Sequence, residues 1–477
     1  MYILFITILI CCNGFCSASS SVELIKFLET EDQLIENLNG YVEKLKKKTI
    51  LLEQSLLGMQ AEHEKMNDDY ETYLGNPLNS FRLIHRMHTD WKKWHRYSAN
   101  AHERELVHIR KAHQMRKKLP TALDLEQASR GINDLVFVYD LKPEEIAGGN
   151  LAGYSKPETA LSAQDCYALG EFSVRERKQD LAVSWFNASL AQFTADEPFY
   201  EVNLFSRSSV HKTWAVLLMK NQEHSILYKP PKESHTTQLS QWMNEEMITK
   251  PSCRGYLRQA SRLFCRYNSS TTPFTRIAPL RMEELSRDPY MVIYHDVIYE
   301  SEINLLLNTS KFELSLVETA TLSEFRASQD SQIKSSETKV AKTLTQRVTD
   351  MTGLSMEMSD DFSLINYGLG GHFSLHTDYH GYSNQIRWKK GDRIATVLFY
   401  LGDVDSGGDT IFPMINVSVT PKKGSAVFWH NLHNSGDMNK KTLHSGCPVI
   451  VGSKYVLTKW INELPQMFST PCINKPS

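Results

Sequence analysis

The chain has 477 residues, with 53 basic against 55 acidic side chains and a formal net charge of -2. This length predicts about three domains, and the balanced charge gives no reason to expect a nucleic acid as a partner. After the first 18 residues, no stretch contains the ~18 apolar residues that a transmembrane helix needs, so we expect no insertion into a membrane.

Residues 1–18 have the pattern of a secretory signal peptide. An apolar run from Ile3 to Ile10 is followed by Cys16-Ser17-Ala18, where small residues suit cleavage by signal peptidase. Sequons of the type Asn-x-Ser/Thr agree with this route. They predict glycosylation at Asn187, Asn268, Asn308 and Asn416.

Beyond the signal peptide the cysteines are Cys166, Cys253, Cys265, Cys447 and Cys472. In an oxidising compartment this odd number predicts two disulfides and one free thiol. No Cys-x-x-Cys pair occurs among them, which argues against a zinc site. Spacing alone leaves the pairing open.

Residues from Val22 to about Arg116 have a helical pattern. Apolar residues recur at heptad spacing, namely Leu38, Tyr41, Leu45, Leu52 and Met59. Such a seam is typical of a helix-bundle face or of a coiled coil. Histidines between His85 and His113, among Lys and Arg, favour a solvated basic helix face over a metal store.

The stretch from Leu161 to about Gln192 predicts one tetratricopeptide-like unit. Leu169-Gly170, Ala182, Phe186 and Ser189 match the positions of that repeat. One unit cannot bury its apolar face alone, so neighbouring helices must cover it. A second half is expected between Tyr200 and Asn221, where helical spacing occurs without the Leu-Gly signature. The composition of Lys229 to Thr237 indicates a linker.

The C-terminal part has the pattern of short strands with Gly-rich turns. It opens with a predicted strand at Tyr290 to Val297 and helices from Ser301 to Leu307 and from Ser336 to Met351. Later buried strands are predicted at 393–401, 427–429 and 455–460. This pattern is typical of a double-sheet jelly roll.

His376 and Asp378 are two positions apart, so on a strand they share one face. Alone, such a pair is more often an ordinary hydrogen-bonded pair than a metal site. With His444 it gives two imidazoles and one carboxylate, a set that suits a non-haem Fe(II) oxygenase. Lys454 lies in an apolar strand, which is costly unless a partner such as a dicarboxylate pairs with it. The alternative is a lysine that reaches solvent from the strand end.

Several short segments around these residues, in this order along the chain, resemble the catalytic domain of the alpha subunit of collagen prolyl 4-hydroxylase. They are Asn366-Tyr367-Gly368, Arg393 to Thr396, Gly407 to Pro413, Pro421 to Phe428, His444 to Pro448 and Gly452 to Lys454. Three short segments nearer the start of the chain resemble the N-terminal dimerisation helices of that subunit: Leu74 to Pro77, Asn79 to Phe81 and Asp90-Trp91.

The resemblance implies a multidomain fold, with an all-α N-terminal half and a C-terminal double-stranded β-helix (jelly roll) dioxygenase domain. We predict a signal peptide at 1–18, a helical dimerisation domain at 19–140, a tetratricopeptide-like domain that binds the peptide substrate at 155–240, and the catalytic domain at 275–477. The resemblance also implies disulfides Cys253–Cys265 and Cys447–Cys472, which leaves Cys166 free.

The implied activity is C4 hydroxylation of peptidyl proline in collagen-like sequences, with Fe(II), 2-oxoglutarate, O2 and L-ascorbate. His376, Asp378 and His444 would hold the metal, and Lys454 would bind the distal carboxylate of 2-oxoglutarate. Further cosubstrate contacts are predicted for Tyr367, Thr396 and Asn462. Trp460 and Phe373 are predicted as walls for a substrate proline ring, with ordinary core aromatics as the alternative.

The implied place of action is the endoplasmic reticulum lumen. The last residues, Asn474 to Ser477, form no retention tetrapeptide. Retention is therefore expected from a partner, which the resemblance implies is protein disulfide isomerase as the beta subunit. The implied assembly is a tetramer that contains a dimer of alpha subunits.

Two positions depart from that family and keep alternatives open. Asn462 stands where the family usually has His, and the segment around Gln332 lacks a family tryptophan. We expect weaker cosubstrate binding from the first and a changed substrate rim from the second. One alternative is a lysyl hydroxylase, although those enzymes use Arg where this chain has Lys454. Another is a catalytically silent subunit that binds proline-rich peptide and the beta subunit.

Overall fold

The structure is a computed structural model of the full chain. It describes residues 21–42, 46–66, 69–93, 106–155, 159–194, 200, 203–227, 248–257, 263–310, 313–314, 328–368, 370–381 and 390–467. The predicted signal peptide, the linker and Cys472 lie outside these ranges. No helix within them combines the length and the apolar character needed to cross a bilayer.

The N-terminal half is helical, as predicted. Its described helices are α1 Ser21–Val42, α2 Lys46–Glu64, α3 Tyr70–Leu74, α4 Pro77–His85, α5 Leu106–Met115, α6 Ala122–Tyr139, α7 Pro143–Ala147, α8 Ala163–Arg175, α9 Gln179–Ala191 and α10 Arg207–Leu227. A π-helical turn, Arg86–Asp90, follows α4, and a short hairpin joins β1 Asn150–Leu151 to β2 Tyr154–Ser155. Apolar side chains from most of these helices share one core.

The C-terminal half is a two-sheet barrel. Its strands are β3 Cys265–Asn268, β4 Leu280–Arg287, β5 Tyr290–His295, β6 Glu313–Leu314, β7 Gln329–Ile333, β8 Phe362–Tyr367, β9 Phe373–His376, β10 Arg393–Tyr400, β11 Ser406–Gly407, β12 Thr410–Phe412, β13 Val417–Val419, β14 Ala426–His430, β15 His444–Gly446, β16 Val449–Val451 and β17 Lys454–Asn462. Helices α11 Glu300–Thr309 and α12 Lys339–Thr352 complete it. The predicted jelly-roll class is confirmed.

The large sheet has the order β3-β4-β5-β14-β10-β17-β8-β7-β6, and the small one β13-β12-β15-β9. Strand β10 shows why its sequence is an apolar run. Val397 and Phe399 pack in the core under α11 and α12, whereas Leu398 and Tyr400 belong to the core between the two sheets. A central strand that is covered on both faces needs apolar side chains at successive positions rather than alternating ones.

The predicted tetratricopeptide-like unit corresponds to the antiparallel pair α8 and α9. Ser162 and Asp165 form a capping box at the start of α8. Gly170 is required by packing, because a Cβ atom there would lie 2.5 Å from the ring of Phe186 on α9. The glycine of the Leu-Gly signature therefore leaves the space that the Phe186 ring occupies.

Two pairs of glycines join the helical half to the barrel. A Cβ atom on Gly75 would lie 2.6 Å from the Cα of Gly452, and one on Gly370 would lie 2.4 Å from the carbonyl oxygen of Gly131. The amide of Gly452 also donates to the carbonyl of Gly75. Only glycine allows two backbones to approach this closely. Gly370 lies just before β9 and Gly452 just before β17. The contacts with Gly131 and Gly75 therefore support the start of each strand.

The disulfide pairing that the resemblance implies is wrong for Cys253 and Cys447, which are bonded to each other with their Cα atoms 5.7 Å apart. The helical segment 248–253 lies against α6, where the Arg254 side chain donates to the carbonyl of Val138. This packing brings together cysteines that are 194 positions apart. Cys265 is exposed and unbonded, and Cys166 is buried and free, as predicted.

The predicted glycosylation sites differ in accessibility. Asn187, Asn308 and Asn416 are exposed. Asn268 is only 9% exposed, and its amide nitrogen donates to the hydroxyl of Tyr294. A glycan on that nitrogen is incompatible with this packing, so the prediction for Asn268 is not supported.

We expect Gly170→Ala to destabilise the helical half, because the new methyl group would displace the Phe186 ring. Overpacking of this kind costs about 1–3 kcal/mol. The control is Gly58→Ala within α2, where no described atom beyond the neighbouring backbone of that helix lies within 4 Å of the added Cβ. That change is expected to be neutral or to stabilise by up to ~1 kcal/mol. Melting temperatures of the full chain test this, and equal shifts in both variants would contradict the packing argument.

Candidate metal centre

Two histidines face each other across neighbouring strands of the small sheet. Strand β15 pairs with β9 in antiparallel register, and His444 lies directly opposite His376. His376 Nδ1 lies 2.7 Å from the carbonyl of Ser374, and His444 Nδ1 lies 3.0 Å from that of Thr442. A carbonyl can only accept, so each Nδ1 donates a proton. Both Nε2 atoms therefore keep a lone pair for a metal.

The carboxylate of Asp378 completes the set. Its Oδ1 lies 3.8 Å from His376 Nε2 and its Oδ2 lies 3.9 Å from His444 Nε2. One ligand atom from each of the three residues falls within 4.8 Å of the others. Burial acts to raise the pKa of Asp378, but His444, His376 and a hydrogen bond from Thr396 outweigh it and lower the pKa. The carboxylate is thus ionised, as a metal ligand must be.

A pair of side chains from the large sheet orients this carboxylate. The Thr396 hydroxyl donates to Asp378 Oδ2 at 2.7 Å, and the Asn431 amide donates to Thr396 Oγ1 at 2.9 Å. The one hydroxyl proton of Thr396 is therefore committed to Asp378. This bond gives Thr396 a positioning role, and Thr396 is not among the residues that line the cavity at the metal ligands, so its predicted contact with the cosubstrate stays a prediction. Asn431 was not predicted, since the only local signal is its place after the end of β14.

The three candidate ligands line a small cavity between the two sheets. Lys454 lines this cavity too and is only 2% exposed. Its Nζ donates to the Gly408 carbonyl at 2.6 Å and to Thr410 Oγ1 at 3.2 Å. An ammonium group has three donors, so a third remains for a ligand. Burial lowers the pKa of Lys454 to about 8, although Asp409 acts to raise it. The alternative of a lysine that reaches solvent does not hold for this residue.

Aromatic side chains surround the metal ligands. Tyr367, Phe373 and Trp460 line the same cavity. The predicted cosubstrate contact of Tyr367 and the predicted proline-ring walls stay predictions. The Phe373 ring stacks on that of His376, with centroids 3.7 Å apart. The Arg393 guanidinium lies 3.9 Å from the Trp460 ring centroid. These contacts limit the positions that both rings can take.

Asn462 and Gln332 take other positions. The Asn462 amide donates to the Met358 carbonyl at 2.6 Å, and Asn462 is not among the residues that line the cavity. This placement gives no support to the predicted cosubstrate contact. Gln332 lies on β7, where its amide donates to the Ser363 hydroxyl at 3.2 Å. The effect of that segment on a substrate rim stays a prediction.

Two family models match the chain. The model described as "Prolyl 4-Hydroxylase alpha-subunit, N-terminal region" matches residues 20–153. The model described as "2OG-Fe(II) oxygenase superfamily" matches residues 362–462. The second match contains all three candidate metal ligands and Lys454.

Relatives extend the similarity over most of the chain. It is 28% identical to prolyl 4-hydroxylase subunit alpha-1 of Rattus norvegicus and 27% identical to subunit alpha-2 of Gallus gallus, in each case over 94% of both chains. It is 28% identical to subunit alpha-3 of Bos taurus over 86% of both. Among solved structures, the viral collagen prolyl hydroxylase of Paramecium Bursaria Chlorella virus-1 is 21% identical over 36% of this chain and 96% of that one, with a TM-score of 0.31.

The hydrogen bond from Thr396 generates a prediction for metal affinity. Thr396→Val removes the donor that orients Asp378, and loss of such a partner typically weakens metal binding about 10–100-fold. The control is Thr458→Val, which makes the same change in another buried threonine, one that lines the metal cavity. Anaerobic Fe(II) titration measures both. Equal affinities in the two variants would refute the positioning role.

Proposed function

We propose, on the premise that this chain belongs to the prolyl 4-hydroxylase alpha-subunit family, that it hydroxylates peptidyl proline at C4. The reaction uses Fe(II), 2-oxoglutarate and O2, the set implied by the oxygenase superfamily that it matches. One observation supports the proposal most strongly. The His376, Asp378 and His444 ligand atoms converge within 4.8 Å, and a buried ammonium group lies on the wall of the same cavity.

The residues of the chain divide the work. His376, Asp378 and His444 would hold Fe(II), which together with the 2-oxo acid and O2 supplies the oxidising chemistry. The third donor of Lys454 would bind the distal carboxylate of 2-oxoglutarate, because a buried cation gains most from an anionic partner. Phe373 and the other aromatic walls exclude water from the site. The protein thus contributes positioning and a dry environment.

Several finer features belong to the same proposal. We place the reaction in the endoplasmic reticulum lumen, on collagen-like sequences, with L-ascorbate as an additional reductant. The signal-peptide pattern of residues 1–18 supports the compartment. The match of residues 20–153 to the alpha-subunit N-terminal region supports an assembly with protein disulfide isomerase and a second alpha subunit. The alternative is a silent subunit, which the Asn at position 462 keeps open.

Turnover by the purified complex tests the activity. The complex is incubated with a Pro-Pro-Gly repeat peptide, Fe(II), ascorbate and labelled 2-oxoglutarate. We expect release of carbon dioxide in step with formation of hydroxyproline. Binding of metal and peptide without either product would instead identify a silent subunit. Asp378→Ala is the control, since it removes a ligand and should abolish both products.

The pKa of about 8 for Lys454 predicts how cosubstrate affinity depends on pH. Below that pH the ammonium group is charged and attracts the dicarboxylate. As pH rises from 7 to 9 the free protein loses this charge, so the dissociation constant for 2-oxoglutarate should rise by up to about tenfold per pH unit above the pKa. Calorimetric titration of the metal-loaded complex measures this.

Lys454→Arg is the matched control for that titration. A guanidinium stays protonated throughout this range, so the variant should bind more weakly because of its shape but with little dependence on pH. If the variant and the parent chain lose affinity in parallel between pH 7 and 9, another group is responsible for the pH dependence.

A further inference from the structure

The three candidate metal ligands are not fixed by the structure in the same way. His376 lies on β9 and His444 on β15, so the pairing of those strands sets their positions. Asp378 lies beyond the end of β9, in an irregular segment that belongs to no strand. A ligand outside a strand keeps its position only if supporting hydrogen bonds hold its side chain and its main chain. The Thr396 hydroxyl holds the side chain, which leaves the main chain to be explained.

A buried carboxylate binds the chain just after Asp378. Asp392 is 0% exposed and lies immediately before β10. One of its oxygens, Oδ1, accepts from the amide of His380 at 2.6 Å, and the other, Oδ2, accepts from the amide of Gly381 at 3.0 Å. Oδ1 also accepts from the amide of Arg393 at 2.8 Å. Three main-chain donors from two segments therefore converge on one side chain.

The main chain of Asp392 is itself anchored to the large sheet. Its amide donates to Glu463 Oε2 at 3.1 Å, and its carbonyl accepts from the amide of Glu463 at 2.8 Å. Glu463 follows the last residue of β17, and β17 pairs with β10. Asp392 is therefore fixed to the barrel independently of the segment after Asp378, and its carboxylate can hold that segment in place.

The neighbouring Arg393 makes a second connection to the same segment. Its Nη1 lies 3.4 Å from the carbonyl oxygen of Asp378, and its Nε donates to Asp360 Oδ2 at 2.9 Å. The contact of 3.4 Å is long for a hydrogen bond. The shorter bonds to Asp392 therefore provide most of the support for this main chain.

The hydrogen-bond pattern requires a carboxylate at position 392. All three partners are N–H groups, and an ionised carboxylate offers only acceptors. An asparagine has nearly the same shape but has an NH2 group in place of one oxygen. In either orientation of that amide, the NH2 group would face at least one of the three N–H groups. Because Asp392 is fully buried, the unpaired N–H would keep the cost of its desolvation.

We propose that Asp392 is a positioning residue of the metal centre. Its carboxylate holds the main chain of His380 and Gly381, and through that main chain it keeps the Asp378 carboxylate directed at the metal. Asp392 does not line the metal cavity, so it acts only through Asp378. This role rests on the proposed function, because it concerns the Fe(II) that the centre would hold.

Binding of Co(II), used as a probe for the Fe(II) position, tests this role without turnover. The full-length complex is stripped of metal and titrated with Co(II), and its visible and magnetic circular dichroism spectra report the geometry of the ligands. Asp392→Asn should weaken Co(II) binding about tenfold or more, as is typical when a supporting partner of a metal ligand is lost. It should also change the spectrum of the bound Co(II).

The matched control is Asp350→Asn. It makes the same change in another buried aspartate of the barrel domain, on α12, whose carboxylate accepts from the Thr272 hydroxyl at 3.0 Å. Loss of this acceptor affects the packing of α12 and not the metal centre. The affinity for Co(II) should stay within twofold of the parent value, with the same spectrum.

A double-mutant cycle distinguishes positioning of Asp378 from general loosening of the barrel. Asp378→Ala removes the ligand that Asp392 positions and leaves two histidines for weaker Co(II) binding. In that background Asp392→Asn should change the dissociation constant less than twofold, because the group to be positioned is gone. A tenfold effect that persists without Asp378 would show that Asp392 acts on the fold rather than on that ligand.

Other results would also overturn the proposal. Folded Asp392→Asn, checked by circular dichroism, would contradict it by binding Co(II) with the parent affinity and spectrum. If that variant does not fold, Asp392→Ser replaces it with the same outcomes, since the shorter hydroxyl cannot accept from all three amides. A parent chain that binds no Co(II) would remove the metal centre and this role together. The expected Co(II) pattern without turnover would support this role and count against the proposed reaction alone.

Discussion

The candidate active site depends on the antiparallel register of β9 and β15. Directly opposed residues in such a pair have Cβ atoms about 4.5–5.5 Å apart, and this register makes His376 and His444 opposed. A shift by one residue would turn one imidazole to the other face of the sheet. Asp378 follows β9 closely and is fastened to the facing sheet by Thr396. Both sheets must therefore be formed and packed before the three ligands converge.

The buried lysine shows the same dependence on packing between the sheets. An ammonium group that is 2% exposed costs free energy unless polar atoms meet it. Here the Gly408 carbonyl and the Thr410 hydroxyl, both near β12 on the small sheet, compensate part of this cost for Lys454 on the large sheet. The remaining cost lowers its pKa, so the site is stabilised further by a bound dianion. The buried lysine therefore destabilises the protein without cosubstrate, and a bound cosubstrate would recover that free energy.

The helical half contributes more than a separate domain would. Glycine contacts attach it to the backbone just before β9 and near the start of β17, and the disulfide between Cys253 and Cys447 fastens it close to His444. A displacement of the helices would therefore also displace the strands that contain the metal ligands and Lys454.

The sequence by itself determined the fold class and most helices and central strands, since periodicity depends on neighbours along the chain. Through its short motifs and the family they resemble, it also predicted His376, Asp378, His444 and Lys454 as the candidate site. Only the tertiary structure decided which groups from distant segments meet. Thr396 contacts Asp378 rather than the cosubstrate pocket, Asn431 joins them, and Cys253 bonds Cys447 across 194 positions. Such contacts arise from the packing of whole sheets and helices. The spacing of residues along the chain does not give the distance in space between side chains of distant segments.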